Sequence, residues 1–197
     1  MRSPTQQEEA RLRSLVDYRL LDSGAESDFD QLVQLALKMG QVPMALISLV
    51  DRDRQWLKAR VGVETAQGER SAYFANEILK KAEPLVLENI EPADGLGLRF
   101  FAGFPLINAE GFTLGFLAVM DRQPHKLTPD QVQSLKVLAD QAVQLMELRK
   151  ANVRVLESAR ILSKYTRIIE DQQETLIQTA KMSSLGSMAA GIAHEIN

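Results

Sequence analysis

Up to residue 128 the chain changes its hydrophobic period several times, and from residue 129 onward it settles on one. "TQQEEARLRSLVDY" places Leu12, Leu15 and Val16 on one helical stripe. "SDFDQLVQLALKMG" predicts a second helix, opened by Ser27 and Asp30 at capping-box spacing and closed by Gly40. "MALISLVDRDRQWLKARVGV" reads as two β-rich runs joined at Asp51–Arg54. Alternation along the second run puts Trp56, Lys58 and Arg60 on one face and Leu57, Ala59 and Val61 on the other. "AYFANEILKK" predicts a short helix, and "EPLVLENI" a strand begun by Pro84. "FFAGFPLI" and "FTLGFLAVMD" form a second hairpin across "NAEG". In its later strand Phe112, Leu114, Phe116, Ala118 and Met120 alternate with Thr113, Gly115, Leu117 and Val119. Both sets are mostly apolar, as in a central strand covered by helices on at least one side. Helices first, antiparallel strands in the middle and a helix last predict an α+β domain with a five- or six-stranded sheet.

Proline and glycine mark where this pattern ends. All 7 prolines lie at or before Pro129, and between Pro129 and Gly186 there is neither residue. "LTPDQ" supplies Thr128 as N-cap, Pro129 at the first helical position and Gln131 to complete a capping box. A helix running from there to the end of the chain, at ~1.5 Å per residue, makes a rod of roughly 100 Å. A helix of that length needs a partner for its apolar stripe. Leu148, Asn152, Val155, Ala159, Leu162, Thr166, Ile169, Gln173, Leu176 and Ala180 recur at alternating spacings of four and three. They predict the seam of a parallel homodimeric coiled coil, with Asn152 as a register-fixing polar residue. The competing arrangement is a helix folded back on its own domain. The phase slips between Ala180 and Leu185, after which Leu185, Ala189, Ile192 and Ile196 resume it, and such a break marks a junction between helical modules.

Bulk composition narrows the chemistry. A net charge of −3 gives no broad positive field, so nucleic acid and membrane are not expected partners. The absence of cysteine excludes disulfides, thiolate metal sites and thioether cofactor attachment. The N-terminal "MRSPTQQEEARLRSL" has no apolar core of a signal peptide, and no window reaches the ~20 apolar residues of a membrane span. A cytoplasmic location is expected.

The last stretch carries the sharpest candidate chemistry. In the resumed register His194 lies about 200° around the helix from Ile192 and Ile196, pointing away from the bundle core. An exposed imidazole beside Glu195 can act as a nucleophile whose other ring nitrogen is held by the carboxylate. Two plainer alternatives are an idle surface histidine on a closely packed helix, and the start of a zinc-protease His-Glu-x-x-His whose last member would be residue 198. The segment "KMSSLGSMAAGIAHEIN", Lys181 to Asn197, resembles the phosphoacceptor box of sensor histidine kinases, in the subgroup continuing His-Glu-Ile-Asn-Asn-Pro-Leu. The resemblance implies that His194 is phosphorylated from ATP with Mg, that Glu195 is its acid/base partner, and that a response regulator receives the phosphate. It also implies that the chain stops within the box, the second dimerisation helix and ATP-binding domain lying downstream. No nucleotide-binding loop occurs in residues 1–197, so the fragment alone is expected to be inactive.

The segments around "RQWLK", "FFAGFPL" and "LGFLAVMD", within about residues 5–149, resemble a GAF domain. That resemblance implies a central antiparallel sheet, a small-molecule pocket on one face and helices on the other. By position in such a fold Trp56, Tyr73, Phe74 and Phe100 are candidate pocket residues, with core or rim packing as the alternative. Arg54, Lys58 and Arg60 are either an anion site or a solvated strand face. His125, in the turn "DRQPHKLT", reads as a solvated loop residue rather than a haem ligand. No carboxylate or histidine cluster points to a metal, and the signal, small molecule or protein, is not named by the sequence. The expected organisation is a sensory domain over 1–149, a signalling coiled coil over 150–181 and the start of a phosphotransfer helix over 182–197. The function expected is the sensory and dimerisation portion of a two-component sensor histidine kinase. Its rivals are a non-enzymatic dimerisation scaffold and a ligand-binding regulator without phosphotransfer.

Overall fold

Six antiparallel strands among the described residues form one sheet with helices on both sides. The structure, a computed structural model, describes residues 4–65, 67–69, 73–91 and 97–195, with the backbone alone described at 4, 68, 69, 179, 180 and 183–195. In chain order the elements are α1 (Pro4–Asp17), α2 (Ser27–Gly40), β1 (Met44–Val50), β2 (Arg54–Val61), β3 (Gln67–Glu69), α3 (Tyr73–Lys81), β4 (Leu85–Leu87), β5 (Phe100–Ile107), β6 (Thr113–Asp121) and α4 (Pro129–Glu195). The strands lie in the order β3-β2-β1-β6-β5-β4. β1, buried along its whole length, and β6, buried up to Asp121, pair at the centre, where strands buried on both faces belong. The short β3, which the sequence pattern does not reveal, forms one edge.

The chain divides into two compact units, residues 1–150 and 151–197. In the first, one face of the sheet packs against α1, α2 and the opening of α4. Leu15, Tyr18, Phe29, Val33, Phe104 and Leu135 are part of that core. The other face carries α3 over Leu46, Leu57, Ile78, Phe101, Phe116 and Met120. On α4, Leu135, Leu138, Ala142 and Met146 recur at helical spacing and are buried. The second unit is helical from Ala151 through Glu195, and its apolar side chains are exposed: Val155, Leu156, Ile161, Leu162, Ile169 and Leu176.

Four local expectations are corrected. Val16 is exposed, and Tyr18 instead extends the buried stripe of Leu12 and Leu15. The Ser27/Asp30 capping box does not form, because α2 begins at Ser27 with Glu26 in the N-cap position, and Glu26 gives its carboxylate to other partners. The helix itself ends at Gly40, as read from the sequence, with Gln41 following in the left-handed region at φ 53°. In β2 the register slips opposite Ile47 and Ser48, so that Ser48 pairs with Leu57 and Ile47 with Ala59. This bulge inserts Lys58 and reverses the alternation. Ala59 and Val61 therefore join Trp56 on the helix-covered core, and Leu57 turns to the α3 side. A second irregularity between Leu106 and Ile107 moves Leu114 to the helix-covered side, away from Phe116. The capping box at α4 is formed as expected: Thr128 N–H donates to Gln131 Oε1 at 2.8 Å and Gln131 N–H to Thr128 Oγ1 at 3.2 Å.

Candidate functional site

The face under α3 is built of stacked aromatics. Phe74, on the first turn of α3, stacks on Phe101 of β5 with ring centroids 4.3 Å apart. Phe101 meets Phe116 of β6 edge-on at 6.2 Å, and Tyr73 meets Phe74 edge-on at 5.8 Å. Each such pair adds about 1 kcal/mol beyond its buried area. Gly103 lets α3 rest close against the sheet, since a Cβ there would fall 2.4 Å from Ile78 Cδ1. One polar pair is buried on this face, Ser48 Oγ donating to Gln55 Oε1 at 3.2 Å. Arg60, opposite Leu46, is exposed on the same side. This face offers π surface, apolar walls and a buried polar anchor, the materials of small-molecule recognition.

Of the four aromatic candidates, the structure brings Tyr73 and Phe74 together and sets Trp56 and Phe100 apart. Tyr73 is 63% exposed at the rim. Trp56 packs against the helix-covered core with the Arg54 guanidinium 5.4 Å over its ring. Phe100 is fully buried in that same core, on the opposite side of the sheet from Phe101. His125 is half-buried rather than solvated: its ring stands edge-on to Phe100 at 5.0 Å, and its backbone N–H donates to Glu88 O. Phe101 and Phe116 are the site residues the sequence reading missed, although strand alternation from Phe100 was the available signal.

A second constellation lies on the helix-covered side, at the last turn of α4 within the first unit. Lys58, the residue inserted at the β2 bulge and on the same side as Trp56, has a side chain only 1% exposed. Its ammonium donates to Ser23 Oγ at 2.8 Å, Gly24 O at 2.7 Å and Glu26 Oε1 at 2.6 Å. The Glu26 carboxylate also accepts from Arg149 Nε at 3.0 and 2.9 Å, and Arg149 Nη1 donates to the carbonyls of Tyr18 and Arg19. Burial alone pushes the Glu26 carboxyl up, but the bonds from Lys58 and Arg149 outweigh it and hold it below its ordinary 4.5. Two residues before Arg149, Glu147 accepts from the buried Tyr18 hydroxyl at 2.5 Å, and burial together with this carboxylate raises the phenol. One residue after Arg149, the Lys150 ammonium sits 4.4 Å over the Tyr18 ring. Of the basic residues considered for an anion, Arg54 is engaged by Asp22 and Asp51, and Lys58 by Glu26.

His194 and Glu195 lie on the helical backbone of α4, and their side chains fall outside the described residues, as do Ile196 and Asn197. Among the described residues no group of histidines and carboxylates is arranged to hold a metal, and no helix is long and apolar enough to cross a membrane.

An antiparallel sheet with one short helix on one face and a layer of three helices on the other is the architecture of a class of small sensory domains. Residues 25–146 match the GAF domain family, and the chain belongs to it. It is 36% identical over 115 residues to a cyclic di-GMP phosphodiesterase of Pseudomonas aeruginosa, a match covering 53% of this chain and 20% of that protein. The match thus spans about a fifth of the relative's length. Among solved structures, the GAF domain of an Acinetobacter phosphoenolpyruvate-protein phosphotransferase superposes with TM-score 0.56 at 19% identity, over 76% of this chain and 97% of that one. A domain from a Sinorhizobium meliloti protein assigned as a two-component sensor histidine kinase gives 0.54 at 18%, over 71% and 99%. At these identities the likeness is one of fold.

Proposed function

We propose that this chain is the sensory and dimerisation portion of a sensor histidine kinase, in which α4 carries a signal from the GAF domain to phosphoacceptor His194. The observation that carries the reading is the apolar seam left in solvent on the second unit. Val155, Leu162, Ile169 and Leu176 are 66%, 68%, 53% and 68% exposed, at the spacing of a parallel coiled coil. A second copy of the chain covers that stripe by presenting the same one. Beyond it stands "KMSSLGSMAAGIAHEIN", whose likeness to a phosphoacceptor box assigns His194 to accept phosphate and Glu195 to hold its imidazole. ATP and Mg would be bound by the downstream domain of the complete kinase, and a cytoplasmic response regulator would take the phosphate. The ligand would enter against Tyr73 and Phe74, beside Phe101. The test is ATP-dependent autophosphorylation of the complete protein. The reading expects label that is lost in His194→Gln, and label that persists in that variant would contradict it.

The match to a cyclic di-GMP phosphodiesterase favours a second reading. Here the same sensory unit serves a different output through dimerisation alone, and the complete protein would carry no phosphate on His194.

A further inference from the structure

We propose that Lys58, Glu26 and Arg149 form a clamp that couples the β2 bulge to the last turn of the sensory unit's α4, so that a shift of β2 on the α3 side releases that turn. The geometry places the three residues in series. Neighbouring residues of the strand lie on opposite sides of the sheet at the bulge: Leu57 packs in the cluster under α3, while Lys58, the inserted residue, is bound to Ser23, Gly24 and Glu26 on the helix-covered side. The slip falls at Ser48, whose hydroxyl is tied to Gln55. A ligand that displaces Leu57 or breaks the Ser48–Gln55 pair moves the backbone carrying Lys58. Lys58 cannot follow into solvent, being almost fully enclosed, so the movement passes to the one carboxylate it shares with Arg149.

Glu26 is suited to this transfer. Its backbone caps α2, so its carboxylate is fixed from behind, and the side chain caps nothing and bridges two cations. Arg149 in turn holds the α1–α2 connection through the carbonyls of Tyr18 and Arg19. Removing one partner of such a group leaves the enclosed Lys58 charge short of its counter-charge, so the cluster resists being broken singly. Charges on neighbouring elements close the cluster: Glu147 on Tyr18, and Lys150 beside Glu110 at 3.7 Å and Asp17 at 4.0 Å.

The clamp lies wholly within the sensory unit. Only its consequence for phosphate transfer rests on the kinase reading. The test is amide hydrogen exchange by mass spectrometry on the 1–197 chain, comparing the parent with Glu26→Gln, Lys58→Met and the milder Arg149→Lys. Residues 144–150 should exchange at least tenfold faster in all three variants, while amides of β6 remain as protected as in the parent. Lys58→Met is decisive, because Lys58 makes no direct bond to α4 among the described residues and shares Glu26 with Arg149. Unchanged protection at 144–150, or faster exchange spread evenly through the sheet, would overturn the clamp. Altered exchange with no effect of Glu26→Gln on labelling of the complete protein would leave the clamp standing and sink the kinase relay instead.

Discussion

The two stretches of α4 share one backbone conformation and differ in what their apolar side chains meet. From Pro129 to Lys150 the stripe of Leu135, Leu138, Ala142 and Met146 is buried against the sheet, and from Ala151 onward Val155, Leu162 and Leu176 stand in solvent. Packing separates the two: the first stretch completes the domain's core, and the second leaves its apolar residues exposed. The difference predicts that substitutions in the first stretch act on the stability of the domain at any concentration. Substitutions in the second should act on assembly and scale with concentration.

The largest effect is expected in the sheet. Gly115→Ala would drive a Cβ to 1.9 Å from the Ser48 carbonyl oxygen, backbone against backbone at the central β1–β6 pairing. A loss of about 3 kcal/mol or more is expected in denaturant unfolding, at the severe end for overpacking. Leu135→Ala should cost about 3 kcal/mol, independent of protein concentration, from a fully buried site. Leu162→Glu, equally a leucine on the same helix, should leave the domain's unfolding midpoint unchanged and weaken dimerisation at least tenfold. If instead it destabilised the isolated domain as Leu135→Ala does, the two stretches would not differ as described.

How far the sequence could be read follows the same division. Element order, both hairpins and the capping box of α4 were legible because period-two and helical patterns there obey local rules. The bulge in β2 was not, since nothing in "RQWLKARV" says that Lys58 rather than a neighbour is the inserted residue. The bulge puts Ala59 and Val61 on the side of Trp56, where regular alternation would have put Arg60. Glu26 was equally hidden, because its partners stand 32 and 123 positions away. Phe74 is a candidate by its position in the resembled fold, whereas its partner Phe101 was passed over for the neighbouring Phe100.

The acid response should sharpen the contrast further. Glu26 is held below 4.5 in the folded chain, so its contribution is complete above the ordinary carboxylate range and is lost as pH falls through the lowered value. The stability difference between the parent and Glu26→Gln should therefore be constant near neutrality and shrink as pH falls below the ordinary carboxylate range. Melting curves across that range read it out. The smallest effect is expected at Gln41→Gly, where glycine relieves a left-handed backbone and should stabilise by about 0.5 kcal/mol.

The central claim, that the second stretch of α4 is a dimer seam, is tested most directly by native mass spectrometry of the 1–197 chain. The account predicts a dimer of the 22.0 kDa chain, with any retained small molecule visible as added mass. A monomer at micromolar concentration would contradict it.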